Sequence, residues 1–155
     1  MIEAVGYRFY DDYFNKCSSL LKADGLALIQ AITISDQRYD DAKKEIDFIQ
    51  RYIFPGGCLP SISVIATALS NYTDMQLIDL HDISIDYSKT LAQWRERFYR
   101  NKAAILDLGF DEVFYRMWEY YLCYCEGGFR EHVIQTSQLL MRKPGAYGAV
   151  SSLYR

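Results

Sequence analysis

The sequence predicts an α/β protein, read as the C-terminal half of a doubly wound sheet with helices inserted between its strands. Three observations predict it. Segments of helical period alternate with short apolar segments. One of these, LALIQAITI (Leu26 to Ile34), is a nearly unbroken apolar run, the pattern of a strand covered on both faces. Only three such segments occur in 155 residues, and a doubly covered strand wants neighbours on each side, so the remaining strands are expected elsewhere.

The elements follow in order. Tyr10, Tyr13, Phe14, Cys17, Leu20 and Leu21 share one helical face, with Asp11, Asp12, Asn15 and Lys16 turned to water, and Ala23-Asp24-Gly25 stops the helix. After the first strand, AKKEIDFIQRYIF predicts one helix ended by Pro55. Ser61 can cap a short helix through Leu69, and MQLIDLHDI (Met75 to Ile83) reads as the second strand. A long helix then carries Leu91, Trp94, Phe98 and Ile105 and ends at Gly109. Asp111 caps the next helix, in which Phe114, Met117, Trp118, Tyr121, Leu122 and Cys125 form a wide apolar stripe. HVIQTSQLLM, starting at His132, is the third strand, and a loose tail is expected from Pro144. No repeat or Pro/Ser-rich linker divides the chain, so residues 1–143 are expected to form one domain.

Half the residues are apolar and 24% are charged, the balance of a globular chain, and a net charge of -3 speaks against a nucleic-acid partner. No run approaches the roughly 20 apolar residues of a membrane span. The start MIEAVGYRFYDDYF lacks a secretory signal, so a cytoplasmic location without a transmembrane segment is expected. Cys17, Cys58, Cys123 and Cys125 form no CxxC pair and only two histidines accompany them, so reduced thiols and no metal are expected. His81 and His132 belong to no nucleophile motif and read as structural. No GxGxxG or GxxxxGK[ST] occurs, and Gly56-Gly57 and Gly127-Gly128 read as turns or helix stops. The residues by themselves therefore show no nucleotide site.

Four segments in order, MIEAVG, DFIQRYIFPGGCLPS, DYSKTLAQWRERF and GFDEVFYRMWEYYLCYCEGGFR, resemble the C-terminal portion of cyclopropane-fatty-acyl-phospholipid synthases. These are class I methyltransferases that use S-adenosylmethionine, and the likeness runs from Met1 to about Arg142. The resemblance implies a Rossmann-like sheet whose last strand runs antiparallel between the other two strands of this chain. It implies that the glycine-rich cofactor loop lies upstream of Met1, that the sequence looks like a fragment, and that the isolated chain is inactive. It also implies phospholipid acyl chains at a membrane surface as the substrate. Peripheral membrane contact and a homo-oligomer are compatible with it.

The chemistry of that family indicates which residues to seek. Methyl transfer to a cis alkene leaves a carbocation on the acyl chain, and loss of a methyl proton closes the ring. The enzyme then needs a small base in a dry site. The resemblance implies bound bicarbonate as that base, held by a Glu, a His, a backbone group beside an Ile, a Tyr and an upstream Cys. Carried onto this sequence, they are Glu3, Ile32 and Tyr87, with Gln30 where the family has His and no counterpart to the Cys. Gln can hold an oxyanion but cannot carry charge or pass on a proton. The residues alone leave other readings open: Glu3 as an exposed acid at a helix start, Tyr87 as a core aromatic near a helix cap. Phe114, Trp118 and Tyr121 fit either an acyl channel or ordinary helix packing. A related enzyme acting on a small amine, or a non-catalytic lipid-binding or oligomerisation module, remain the alternatives at this stage.

Overall fold

The computed structural model describes residues 1–146. A one-turn helix α1 (Ile2–Val5) and a 3-10 turn (Tyr7–Phe9) lead into α2 (Tyr10–Leu20), β1 (Leu26–Ile34), α3 (Asp36–Ala42), α4 (Phe48–Tyr52), α5 (Ile62–Tyr72) and β2 (Gln76–Asp82). There follow α6 (Ser84–Arg100), α7 (Lys102–Asp107), α8 (Glu112–Arg130), β3 (Ile134–Arg142) and a 3-10 turn (Pro144–Ala146). Caps fall where the sequence places them. The Val64 N–H donates to the Ser61 hydroxyl, and the Phe114 N–H donates to the Asp111 carboxylate at 2.8 Å.

Two expected helices are each broken. The helix predicted over residues 42–54 is replaced by α3 and α4, because Asp47 starts a new helix by a reciprocal cap. The Gln50 N–H donates to its carboxylate at 2.8 Å, and the Asp47 N–H donates to the Gln50 side chain at 3.0 Å. The long helix expected to reach Gly109 stops at Asn101, whose φ of -102° and ψ of 16° leave the helical region before α7 resumes. The third strand starts later than expected, because His132 takes a φ of +52° in the preceding turn. From Pro144 onward, where a loose tail is expected, Ala146 is buried and the Gly145 N–H donates to the Ala23 carbonyl at 3.1 Å; residues 147–155 lie outside the described residues.

The strand order is β1-β3-β2, so the last strand lies in the middle. It runs antiparallel to β2 from Gln76 opposite Arg142 to Asp82 opposite Ser137, with a bulge between Leu77 and Asp79. At its other edge, the Lys143 N–H just past β3 donates to the Gly25 carbonyl just before β1, and the Gln138 amide reaches Gln30 farther along. Moving up β1 therefore moves down β3, the antiparallel insertion that the resemblance implies.

Within the described residues the chain forms two compact units, residues 1–82 with 136–146, and residues 83–135. In the first, α2 and α5 pack on the sheet. Tyr10, Phe14, Ile65, Ala68, Leu69, Ala31, Leu139 and Met141 form its core, with Ile2 from α1 fully buried among them. Burial of a side chain such as Phe14 contributes roughly 1.5–3 kcal/mol. β1 is not covered on both faces. Ala31 and Thr33 are buried, whereas Leu28 is 62% exposed and Gln30 is exposed too, which is the alternation of a strand buried on one face.

The second unit is helical. α6 and α8 pack along each other, with Leu91, Tyr115, Leu122 and Phe129 buried and the Phe98 and Tyr115 rings stacked at 4.6 Å. Glu126, 5% exposed, accepts from Arg95 Nε and Arg130 Nη2, each at 2.9 Å. A buried carboxylate requires such partners, so this triad fixes α8 against α6. Among the described residues no helix is long and apolar enough to cross a membrane.

Candidate functional site

Successive N–H groups of a strand point to opposite edges. On β1 those of Ile32 and Ile34 point away from β3, and both are taken by other elements. The Ile34 N–H donates to the Pro60 carbonyl at 3.0 Å. The Ile32 N–H donates to Glu3 Oε1 at 2.5 Å, across 29 residues of sequence. Glu3 lies in α1, half-buried, so its carboxylate sits at the carboxyl end of β1, the rim where α/β sheets place their chemistry.

One turn of helix cannot hold itself in place. α1 is held instead by the buried Ile2 and by the loop over residues 53–60. The Cys58 N–H donates to the Glu3 carbonyl at 2.8 Å, the Tyr10 hydroxyl donates to the Cys58 carbonyl at 2.5 Å, and Gln50 Nε2 donates to the Gly57 carbonyl at 2.9 Å. Gly6 has φ +83°, and a Cβ there would meet the Gly56 carbonyl at 3.5 Å. The segments MIEAVG and FPGGC are therefore packed on each other. That contact gives the second motif a physical role: it seats the first.

Burial pushes up the Tyr10 hydroxyl, with Cys58 adding to the effect, and it also raises the Cys58 thiol and takes Tyr39 up to about 12. All three are therefore neutral near pH 7. The nearby Lys43 ammonium lies over the rings of Tyr7 and Tyr39 at 5.6 and 5.1 Å and ties α3 to the turn that follows α1.

The sequence-predicted residues fare differently. Glu3 and Ile32 are brought together, although the Ile32 N–H is expected to hold an anion and here holds the Glu3 carboxylate itself. Gln30 is exposed, and its Oε1 accepts from Gln138 Nε2 at 3.3 Å. Tyr87 belongs to the helical unit, where it is half-buried and its ring meets Phe129 edge-on at 4.9 Å and Trp94 at 6.3 Å. Phe114, Trp118 and Tyr121 follow one another along α8. Phe114 and Trp118 lie 5.9 Å apart, and Trp118 meets Tyr121 edge-on at 5.2 Å. Burial, followed by Cys125 and Tyr87, raises Tyr121 to about 12. Sequence reasoning missed Tyr10 and Cys58, reading the first as an apolar helix position and the second as an inert thiol. The available signal was a tyrosine on a buried face, whose hydroxyl must find a partner.

Two cofactors are implied by the sequence reading. A carboxylate is itself a planar oxyanion, so the Ile32 N–H is a donor of the kind bicarbonate needs, and here Glu3 takes it. For S-adenosylmethionine the fit fails: among the described residues no glycine-rich turn joins a strand to a helix, and Gly56-Gly57 follow α4 instead.

The family model described as mycolic acid cyclopropane synthetase matches residues 1–139. A tuberculostearic acid methyltransferase of Mycobacterium tuberculosis is 41% identical over 145 residues, 94% of this chain and 34% of that protein. The cyclopropane-fatty-acyl-phospholipid synthase of Escherichia coli K12 is 38% identical over 144 residues, 92% of this chain and 36% of that protein. The chain thus spans about a third of the length of these relatives. A solved mycolic acid cyclopropane synthase, complexed with SAH and CTAB, superimposes with a TM-score of 0.82 at 29% identity, covering 91% of this chain and 52% of that one.

Proposed function

Because the chain belongs to the mycolic acid cyclopropane synthetase family, we propose that it contributes the acceptor side of an S-adenosylmethionine-dependent methyltransferase acting on cis double bonds of lipid acyl chains. The observation that carries this reading is the Glu3 carboxylate on the Ile32 N–H at the sheet rim. Proton removal from an alkylated chain needs a small base in a fixed position, and this corner supplies a carboxylate and a backbone donor for one. Bicarbonate would supply that base: the Gln30 amide would hold it, and Glu3, kept in place by the Ile32 N–H, would accept the hydrogen bond of its hydroxyl. Tyr87 is the proposed hydroxyl donor, and Phe114, Trp118 and Tyr121 the proposed apolar wall for the acyl chain. The substrate would be reached from a membrane surface.

The test is a chimera in which this chain replaces the matching 144-residue segment of the Escherichia coli relative. Incubated with S-adenosylmethionine and vesicles of a cis-unsaturated phospholipid, it is expected to add one CH2 unit per double bond, read by lipid mass spectrometry. A folded chimera that leaves the lipid unchanged would overturn the proposal.

Gln30 favours a second reading of the product. A glutamine holds an anion but passes on no proton, so the site favours a second fate for the cation left by methyl transfer. That fate is loss of a proton from a neighbouring chain carbon to give a methyl-branched alkene, instead of loss from the new methyl to close the ring. The 41% identical relative is named a methyltransferase rather than a cyclopropane synthase. Proton NMR of the product decides between the two: high-field ring methylene signals for cyclopropane, none for the alternative.

A further inference from the structure

We infer that Tyr10 is a positioning residue for the Glu3 carboxylate, acting through the backbone of Cys58; this rests on the reading of Glu3 given above. Cys58 is held through both of its backbone groups. Its carbonyl accepts from the Tyr10 hydroxyl at 2.5 Å, and its N–H donates to the Glu3 carbonyl at 2.8 Å. The rest of the loop is fixed on either side of that residue, at Gly57 by Gln50 and at Pro60 by the Ile34 N–H. The loop also lies in contact with the backbone it positions. A Cβ on Gly57 would stand 3.1 Å from the Phe54 carbonyl and 3.5 Å from the Glu3 carbonyl.

Packing alone does not account for the hydroxyl. Tyr10 is 2% exposed within the core that contains Phe14 and Ile65, where a phenylalanine ring would fill the same space. Burying a hydroxyl is costly unless it is bonded, and this one is spent on a single carbonyl in the loop that seats Glu3. α1 has no helical length of its own to fix that seat. The chain of contacts runs from Tyr10 to Cys58 to the Glu3 backbone, and from the Glu3 side chain to Ile32.

The experiment follows the Ile32 amide by hydrogen exchange NMR in the 155-residue chain. Tyr10→Phe is expected to speed its exchange about three- to tenfold, the equivalent of one hydrogen bond, while the Ile65 amide in the core of α5 keeps the parent rate. Gly57→Ala disturbs the same loop without touching Tyr10; it is expected to do the same, and it keeps the test open should Tyr10→Phe not fold. Tyr13→Phe, which removes a hydroxyl from the same helix, is expected to leave Ile32 unchanged. In the chimera, Tyr10→Phe should lower kcat and leave KM as it is. An Ile32 amide at the parent rate in Tyr10→Phe, or an acceleration equal at Ile32 and Ile65, would overturn the inference, the latter because it reports general loss of stability. Failure of the underlying reading looks different: Glu3→Gln turning over at the parent rate while the Ile32 result still stands.

Discussion

The two units hold their proposed functional residues by different physics. In the sheet unit, Glu3 is placed by directional bonds: its carboxylate on the Ile32 N–H, its carbonyl on the Cys58 N–H, and Cys58 in turn on Tyr10. In the helical unit, Tyr87 stands among aromatic rings, edge-on to Phe129 and to Trp94 on its own helix. A hydrogen-bonded corner has one geometry, and a single lost donor relaxes it. A ring cluster is held by area and shape, tolerates the loss of one polar atom, and fails when volume is removed. The first unit is therefore vulnerable to atom-sized changes at the rim, the second to cavities.

The largest stability effect is therefore expected in the helical unit. Phe129 is 1% exposed and carries the Tyr87 ring, so Phe129→Ala should cost about 3–5 kcal/mol, read by urea unfolding. A cost under about 1 kcal/mol would show that the cluster repacks freely. Tyr87→Phe separates the two principles within one residue. The ring packing survives, while turnover of the chimera should fall roughly tenfold to a hundredfold if the hydroxyl stabilises an anion, about 1.5–3 kcal/mol. Unchanged turnover would make Tyr87 a packing residue alone.

In the sheet unit the expected effects are smaller but sharper. Gly6 has φ +83° against the Gly56 carbonyl, so Gly6→Ala should destabilise by about 1–2 kcal/mol, read as a lower urea midpoint with an unchanged slope. The smallest effect is a pH dependence. The hydroxyls of Ser61 and Ser63, then the Ser63 N–H, hold the Asp36 carboxyl below its ordinary value of 3.8. A lowered folded value means that this tie stabilises above pH 3.8 and is lost as the pH falls through the folded value. Asp36→Asn should flatten that acid limb of the stability curve, and an unaltered limb would place the acid sensitivity elsewhere.

Much of the fold was legible because its signals are local. β1 has the bounds its apolar run predicts, and Ser61 and Asp111 cap the helices they precede. The helix breaks were not legible from period alone. Apolar spacing continues through residues 42–54, but the Asp47–Gln50 cap starts a new helix inside it. The alternating exposure of β1 was hidden because Leu28 is as apolar as its buried neighbours. Of the site, Glu3 and Ile32 came from a family resemblance and not from any spacing, since a contact between residues 29 apart leaves no periodic trace. Tyr10 was visible only as one more apolar position, because a helical pattern records which face is buried and not what a buried hydroxyl bonds.

Whether Glu3 holds the proton-accepting position at the rim is decided by Glu3→Gln in the chimera. Glutamine keeps the size of the side chain and an oxygen for the Ile32 N–H, while removing the charge that accepts a proton. The variant is expected to fold and to add CH2 to cis-unsaturated phospholipid about a hundredfold more slowly or worse, the scale of a lost general base. Turnover at the parent rate, with the Ile32 amide still protected, would contradict that role.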